Sequence, residues 1–184
     1  MKVLKKDVAF TGLHLRIVNK SFETDTGGKG VWETVERINI PEIGAVVVIA
    51  LTRNKEVIFE RNWRVPLESF VLQFPAGLID KDDENEEETA RRELLEETGY
   101  LAKRLVPITL AAECSALTPN QVNHYLATDV EFVGKEGSQT TEEIEVLKVP
   151  IRNLKRFMLN LPEDTILDLR VPGILWMLEK RKMI

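Results

Sequence analysis

A chain of 184 residues with 43% hydrophobic content can bury one sizeable core, and a net charge of -5 speaks against general nucleic-acid binding. Its single cysteine, Cys114, excludes an internal disulfide, and the longest apolar run, Ile43 to Leu51, is far too short to span a membrane as a helix. With no secretory signal in the opening residues, a soluble protein of the reducing cytoplasm is expected, with neither nucleic acid nor membrane as partner.

Lys2, Lys5 and Lys6 make a weak basic start that reads as solvated. Leu13, Leu15 and Ile17 alternate with His14 and Arg16, and Asp25 to Gly30 supply turn chemistry before Val31 to Arg37, which predicts an antiparallel hairpin. Ala45 to Leu51 is a continuous apolar run, Arg53 to Lys55 turn, and Glu56 to Glu60 alternate, so a second hairpin follows. Phe70 to Phe74 predicts a short strand, and further strands are expected near Leu105 to Glu113, Gln121 to Thr128 and Glu143 to Val149, with Pro150 ending the sheet. Ile151, Leu154, Phe157 and Met158 recur at helical spacing, as do Ile174, Leu175, Met177 and Leu178 in a final helix with a basic end. Mixed strands with helices packed on them imply an α+β fold. Residues 1–42 are expected to form N-terminal strands and residues 43–184 the main domain, together one structural unit. Cys114 reads as a small core or strand residue, Trp176 as helix core, Trp63 as a packing or rim residue. His14 and His124, with no ligand partners at metal spacing, read as packing or surface.

Between Gly77 and Tyr100 the chain crowds carboxylates onto one helix. Asn85 and Glu88 form a capping-box pattern, acidic residues suit the helix start, and Gly99 suits a left-handed stop, which predicts a helix over Glu86 to Thr98. At 100° per residue, Glu93, Glu96 and Glu97 share roughly a third of its circumference. Three like charges on one face cost free energy unless a cation offsets them. Hard oxygen ligands without nearby Cys or His favour magnesium or manganese over zinc. The plainer alternative is a solvated acidic face.

Residue order favours the cation. Arg92-Glu93-Leu94-Leu95-Glu96-Glu97-Thr98-Gly99-Tyr100, preceded by Glu84 and Gly77, closely resembles the Nudix box, G-x5-E-x7-R-E-U-x-E-E-x-G-U. The one departure is an extra residue between Gly77 and Glu84. The resemblance implies an α/β/α sandwich with a mixed central sheet and an N-terminal antiparallel hairpin region. It also implies hydrolysis of a nucleoside diphosphate linked to another group. Glu84 and Arg92 would form an ion pair fixing loop against helix, and Gly77 and Gly99 would allow tight backbone turns.

The flanking segments are similar to those of ADP-ribose and nucleoside-diphosphate-sugar pyrophosphatases. Gln73 to Asp80 resembles their E-L/F-P-A-G-L-I-D, with Gln73 in place of Glu, and this implies the Ala76 carbonyl as a metal ligand beside Glu93, Glu96 and Glu97. Asn62-Trp63-Arg64 sits where they often read Gln-aromatic-Arg, so Arg64 is expected to hold phosphate, against the alternative of a surface charge. Gly30 to Arg37 resembles a strand that offers an aromatic ring to adenine. Trp32 is therefore expected either to stack on a base or to pack internally. Ser115 to Gln121 resembles S-P-G-x-S/T-D/N-E with departures at Ala116 and Gln121. Thr141 to Val146 looks like an acidic loop that supplies a catalytic glutamate, making Glu142 or Glu143 the expected base, with Glu97 as rival and Glu145 as an outward strand residue.

The resemblance thus implies Mg2+-dependent hydrolysis of ADP-ribose to AMP and ribose 5-phosphate, with two or more ions, Mn2+ serving as a substitute. It also implies a homodimer with exchanged N-terminal strands. Alternatives are another nucleotide substrate, such as GDP-mannose, or a nucleotide sensor without turnover, in which a box glutamate would be expected to be missing.

Overall fold

β-branched apolar residues run without interruption through Ile43–Leu51, and such a strand is stable only where both faces are covered. The computed structural model, which describes residues 1–81, 84–134 and 143–184, places it at the centre of the molecule. In chain order the strands are β1 (Lys2–Thr11), β2 (Leu15–Glu23), β3 (Lys29–Arg37), β4 (Ile43–Leu51), β5 (Glu56–Arg64), β6 (Ser69–Gln73), β7 (Ala76–Leu78), β8 (Tyr100–Ala112), β9 (Gln121–Phe132), β10 (Ile144–Pro150) and β11 (Thr165–Leu167). Among the described residues three α-helices accompany them: α1 (Glu86–Thr98), the short α2 (Leu154–Met158) and α3 (Arg170–Lys180).

β1, β2 and β3 form a separate antiparallel sheet, and the remaining strands form a mixed sheet of order β11-β6-β5-β4-β9-β8, with β10 on β5 and β7 on β4. Alternation along β4 sorts its side chains to two cores. Val46 and Val48 join Ile58 and the helical Ala90 and Leu94 on one face. Val47 and Ile49 join Phe59, Leu72 and Phe74 on the other, under Val171, Ile174, Leu175 and Leu178 of α3. Helices therefore cover both faces, the expected α/β/α sandwich.

β4 pairs with β5 at Ala50 and Leu51 but with β7 at Ala45 to Val47. The sheet splits there, and the split is where the site lies.

Several expectations need correction. The hairpin at the N-terminus is a three-stranded sheet, because Lys2 to Thr11 pairs antiparallel with β2. Pro150 does not end the sheet: Thr165–Leu167 returns to pair in parallel with β6. Cys114 lies in an exposed turn after β8, where the Leu117 and Thr118 N–H groups both donate to its carbonyl. Trp176 is 60% exposed on the outer side of α3, since the four core positions Val171, Ile174, Leu175 and Leu178 already fill the face that meets the sheet.

Candidate active site

α1 begins as its sequence demands. The Asn85 side chain accepts from the N–H groups of Glu87 and Glu88, and the Glu88 carboxylate accepts from the Asn85 N–H at 2.9 Å. It ends on Gly99 at φ 76°, a left-handed conformation that glycine adopts without strain. Between these caps Leu94 and Ala90 dock the helix on β4, which turns Glu93 and Glu97 toward the split in the sheet.

The cleft there is about 590 Å³. Glu93, Glu96 and Glu97 line one wall, and Ala76 and Gly77 of β7 line its floor. Arg37, Arg64 and Arg170 line it as well. Carboxylates and guanidiniums thus face a common space.

Arg92 organises the acidic wall. Its Nε donates to Glu84 Oε2 at 2.9 Å, and its Nη1 donates to Glu93 at 2.6 Å and Glu96 at 3.3 Å. Burial disfavours its charge, but the hydrogen bonds and charges of Glu84 and Glu93 outweigh this and hold its pKa above the ordinary arginine value. Burial raises the pKa of Glu93 against the pull of Arg92. For Glu97, burial first, then the charge of Glu60 and a hydrogen bond with it, push the pKa up to about 10. Glu97 Oε2 also accepts from the Ala76 N–H at 3.0 Å, tying helix to β7.

Gly77 is required for a different reason than a turn. It sits inside β7, and a Cβ there would come within 2.0 Å of the Glu93 carboxyl. The missing side chain is the room that Glu93 occupies.

The donor set fits a hard divalent cation: three glutamates and a main-chain carbonyl on one cleft, with one acid whose charge is suppressed by burial and then by like-charged neighbours. Among the described residues no three carboxylates already converge on one point. Arg92 holds Glu93 and Glu96, so a cation would compete with its guanidinium.

In the same cleft, Arg64 Nε donates to Gln73 Oε1 at 3.0 Å. Arg170 is gripped by Asp168, with Nη2 to Oδ2 at 2.6 Å and Nε to Oδ1 at 2.9 Å. Burial would raise the Asp168 pKa, but Arg170 holds it below the usual carboxylate range. Arg37 Nη2 reaches Glu113 Oε1 at 3.2 Å, joining the N-terminal sheet to the body.

The structure therefore brings together Ala76, Gly77, Glu93, Glu96, Glu97 and Arg64. Trp32 stands apart from this cleft, 51% exposed, its indole N–H donating to the Ala116 carbonyl at 2.9 Å. That exposure removes the internal-packing alternative. Glu143 is exposed and adjoins Ile144, a cleft-lining residue, whereas Glu142 lies outside the described residues. Glu145 points outward and pairs with Arg61 at 3.1 Å. His124 is buried, and burial lowers its pKa. Sequence reasoning assigned no role to Arg37, Asp168 or Arg170. An Asp two positions before a helical Arg was the only local signal for the last two.

A NUDIX domain model matches residues 41–169, and with this site in a split sheet the chain belongs to the NUDIX family. Within it, the chain is 31% identical over 153 residues to the ADP-ribose pyrophosphatase of Bacillus subtilis, across 83% of this chain and 80% of that one. It is 32% identical over 119 residues to the ADP-sugar pyrophosphatase of Mus musculus, across 61% and 51% of the two chains. A crystal structure of an ADP compounds hydrolase shares the fold at a TM-score of 0.77 and 21% identity, over 98% of this chain and 92% of that one.

Proposed function

We propose that the protein hydrolyses the diphosphate of ADP-ribose to AMP and ribose 5-phosphate with magnesium. The observation that carries this reading is the shared cleft: acidic groups suited to cations line one side, and three arginines suited to phosphate oxygens line it too. The names of the relatives in Bacillus subtilis and Mus musculus point to the same substrate class.

Glu93, Glu96, Glu97 and the Ala76 carbonyl would hold two or more Mg2+ ions, or Mn2+ in their place. Bound there, the metal supplies Lewis acidity and neutralises charge on the diphosphate. Arg64, steadied by Gln73, binds the diphosphate oxygens, with Arg170 held ready by Asp168 and Arg37 by Glu113. Positioning and fixed charges then supply most of the acceleration. Glu142 or Glu143 orients or deprotonates the attacking water, with Glu97 as the rival base. Glu84 and Arg92 act by fixing the loop against α1. Trp32 offers its exposed face to the base, and two chains pair through their N-terminal strands so that the base lies between them. The alternative is another nucleoside-diphosphate sugar, such as GDP-mannose, since Ala116 and Gln121 depart from the segment that the ADP-ribose pyrophosphatases carry there.

The test is AMP release from ADP-ribose with Mg2+, beside GDP-mannose and ATP, for the parent and Glu97→Ala. Rapid turnover of ADP-ribose that the variant loses is the expected result. Preference for GDP-mannose or ATP would reject the substrate while keeping the site, and inactivity on all three would reject the reaction.

A further inference from the structure

Glu60 has no part in the reaction as proposed, yet it is the least expected side chain in the sheet. It lies in β5 with 0% of its surface exposed. Removing a carboxyl from water is costly, and a hydrophobic side chain of that volume would serve a mere packing position better.

Its neighbours indicate what it does instead. Glu60 stands directly across the strand pair from Gln73 of β6, with Val146 of β10 on its other side. Side chains opposite one another in a sheet share a face. For Glu60 this is the face beneath α1, where Ile58, two residues earlier, packs with Ala90 and Leu94. There its carboxyl lies against that of Glu97. Gln73 is 3% exposed and lines the cleft. Its Oε1 serves Arg64, while its Nε2 is buried with no hydrogen bond among the described residues. A buried carboxyl and a buried amide donor therefore stand on neighbouring strands at the edge of the cleft.

We propose that Glu60 is a positioning residue for the cation site: its buried carboxyl lies beneath Glu97, and the repulsion between the two directs the Glu97 carboxylate toward a cation in the cleft. Gln73 supplies a donor on the neighbouring strand. The inference rests on the reading of Glu97 as a metal ligand.

The experiment measures Mn2+ affinity by electron paramagnetic resonance of the free ion, together with melting of the metal-free protein, for the full chain without substrate. Glu60→Gln is expected to weaken Mn2+ binding about tenfold, the usual effect of removing a group that supports a ligand, while the metal-free protein melts no lower than the parent. Moving the carboxylate across the strands in Glu60→Gln/Gln73→Glu is expected to restore most of the affinity. A parent protein that does not bind Mn2+ would overturn the reading of the site itself. Parental affinity in Glu60→Gln would overturn this inference alone. So would a variant whose metal-free form melts earlier, or a double variant that stays weak, since either assigns Glu60 to packing.

Discussion

Glu97 is a carboxyl that the fold keeps out of water, beside Glu60 and Glu93, so its pKa rises from the ordinary 4.5 to about 10. Folding therefore retains a proton that the unfolded chain releases between those values. This group's contribution to stability is therefore full below about pH 4.5 and declines as pH rises toward 10. In chelator, the protein is expected to melt at progressively lower temperature across that window. Glu97→Gln should flatten the profile, and circular dichroism melts at a series of pH values would check it. A slope that survives the substitution would assign the dependence to another group. The place of Glu97 beside Glu93 and Glu96 on one helix face, as a candidate ligand, was legible in the sequence. Its burial was not, because burial depends on β7 and β5 closing over it from elsewhere in the chain.

At the scale of elements, α1 separates two kinds of requirement. Asn85 satisfies otherwise unpaired N–H groups at the helix start, and replacing such a cap costs about 1 kcal/mol. Asn85→Ala is therefore expected to lower the denaturation midpoint with turnover per folded molecule close to that of the parent. Gly77→Ala should do the reverse. Its Cβ would meet the Glu93 carboxyl, the far end of a side chain that can move, so the fold is expected to survive while Mn2+ binding and turnover fall at least tenfold, as for a displaced ligand. Urea denaturation and steady-state assays on the two variants would show whether the effects divide in this way. The cap was readable from Asn85 and Glu88 alone. The demand on Gly77 was not, since the group that needs the space lies 16 residues away, from Gly77 to Glu93, on another element.

Over the whole molecule, the conspicuous feature is the N-terminal sheet. All ten residues of β1 are exposed, including Val3, Leu4, Val8 and Phe10, and Leu15 and Val31 on its neighbours are exposed too. A sheet with its apolar side chains uncovered is suited to pairing with a second copy. Light scattering is expected to report a dimer, and Phe10→Arg to shift it toward monomer by burying an unpaired charge. If Trp32 meets the base only at such an interface, the same variant will raise KM for ADP-ribose with kcat little changed. A monomeric parent protein would remove the exchanged-strand arrangement.

The sequence by itself determined α1, its caps, the three glutamates of its inner face, the Glu84–Arg92 pair and the family, because each depends on residues a few positions apart along one helix and its preceding loop. It also determined β4, whose unbroken apolar run demands cover on both faces. Only the tertiary structure decided that Arg37 and Arg170, drawn from two further segments, join Arg64 in a cleft with those glutamates. It likewise decided that Glu60 is buried and Trp176 exposed. Alternation and helical spacing say which residues lie on one face of an element. They do not say what covers that face, and the cover here comes from distant parts of the chain.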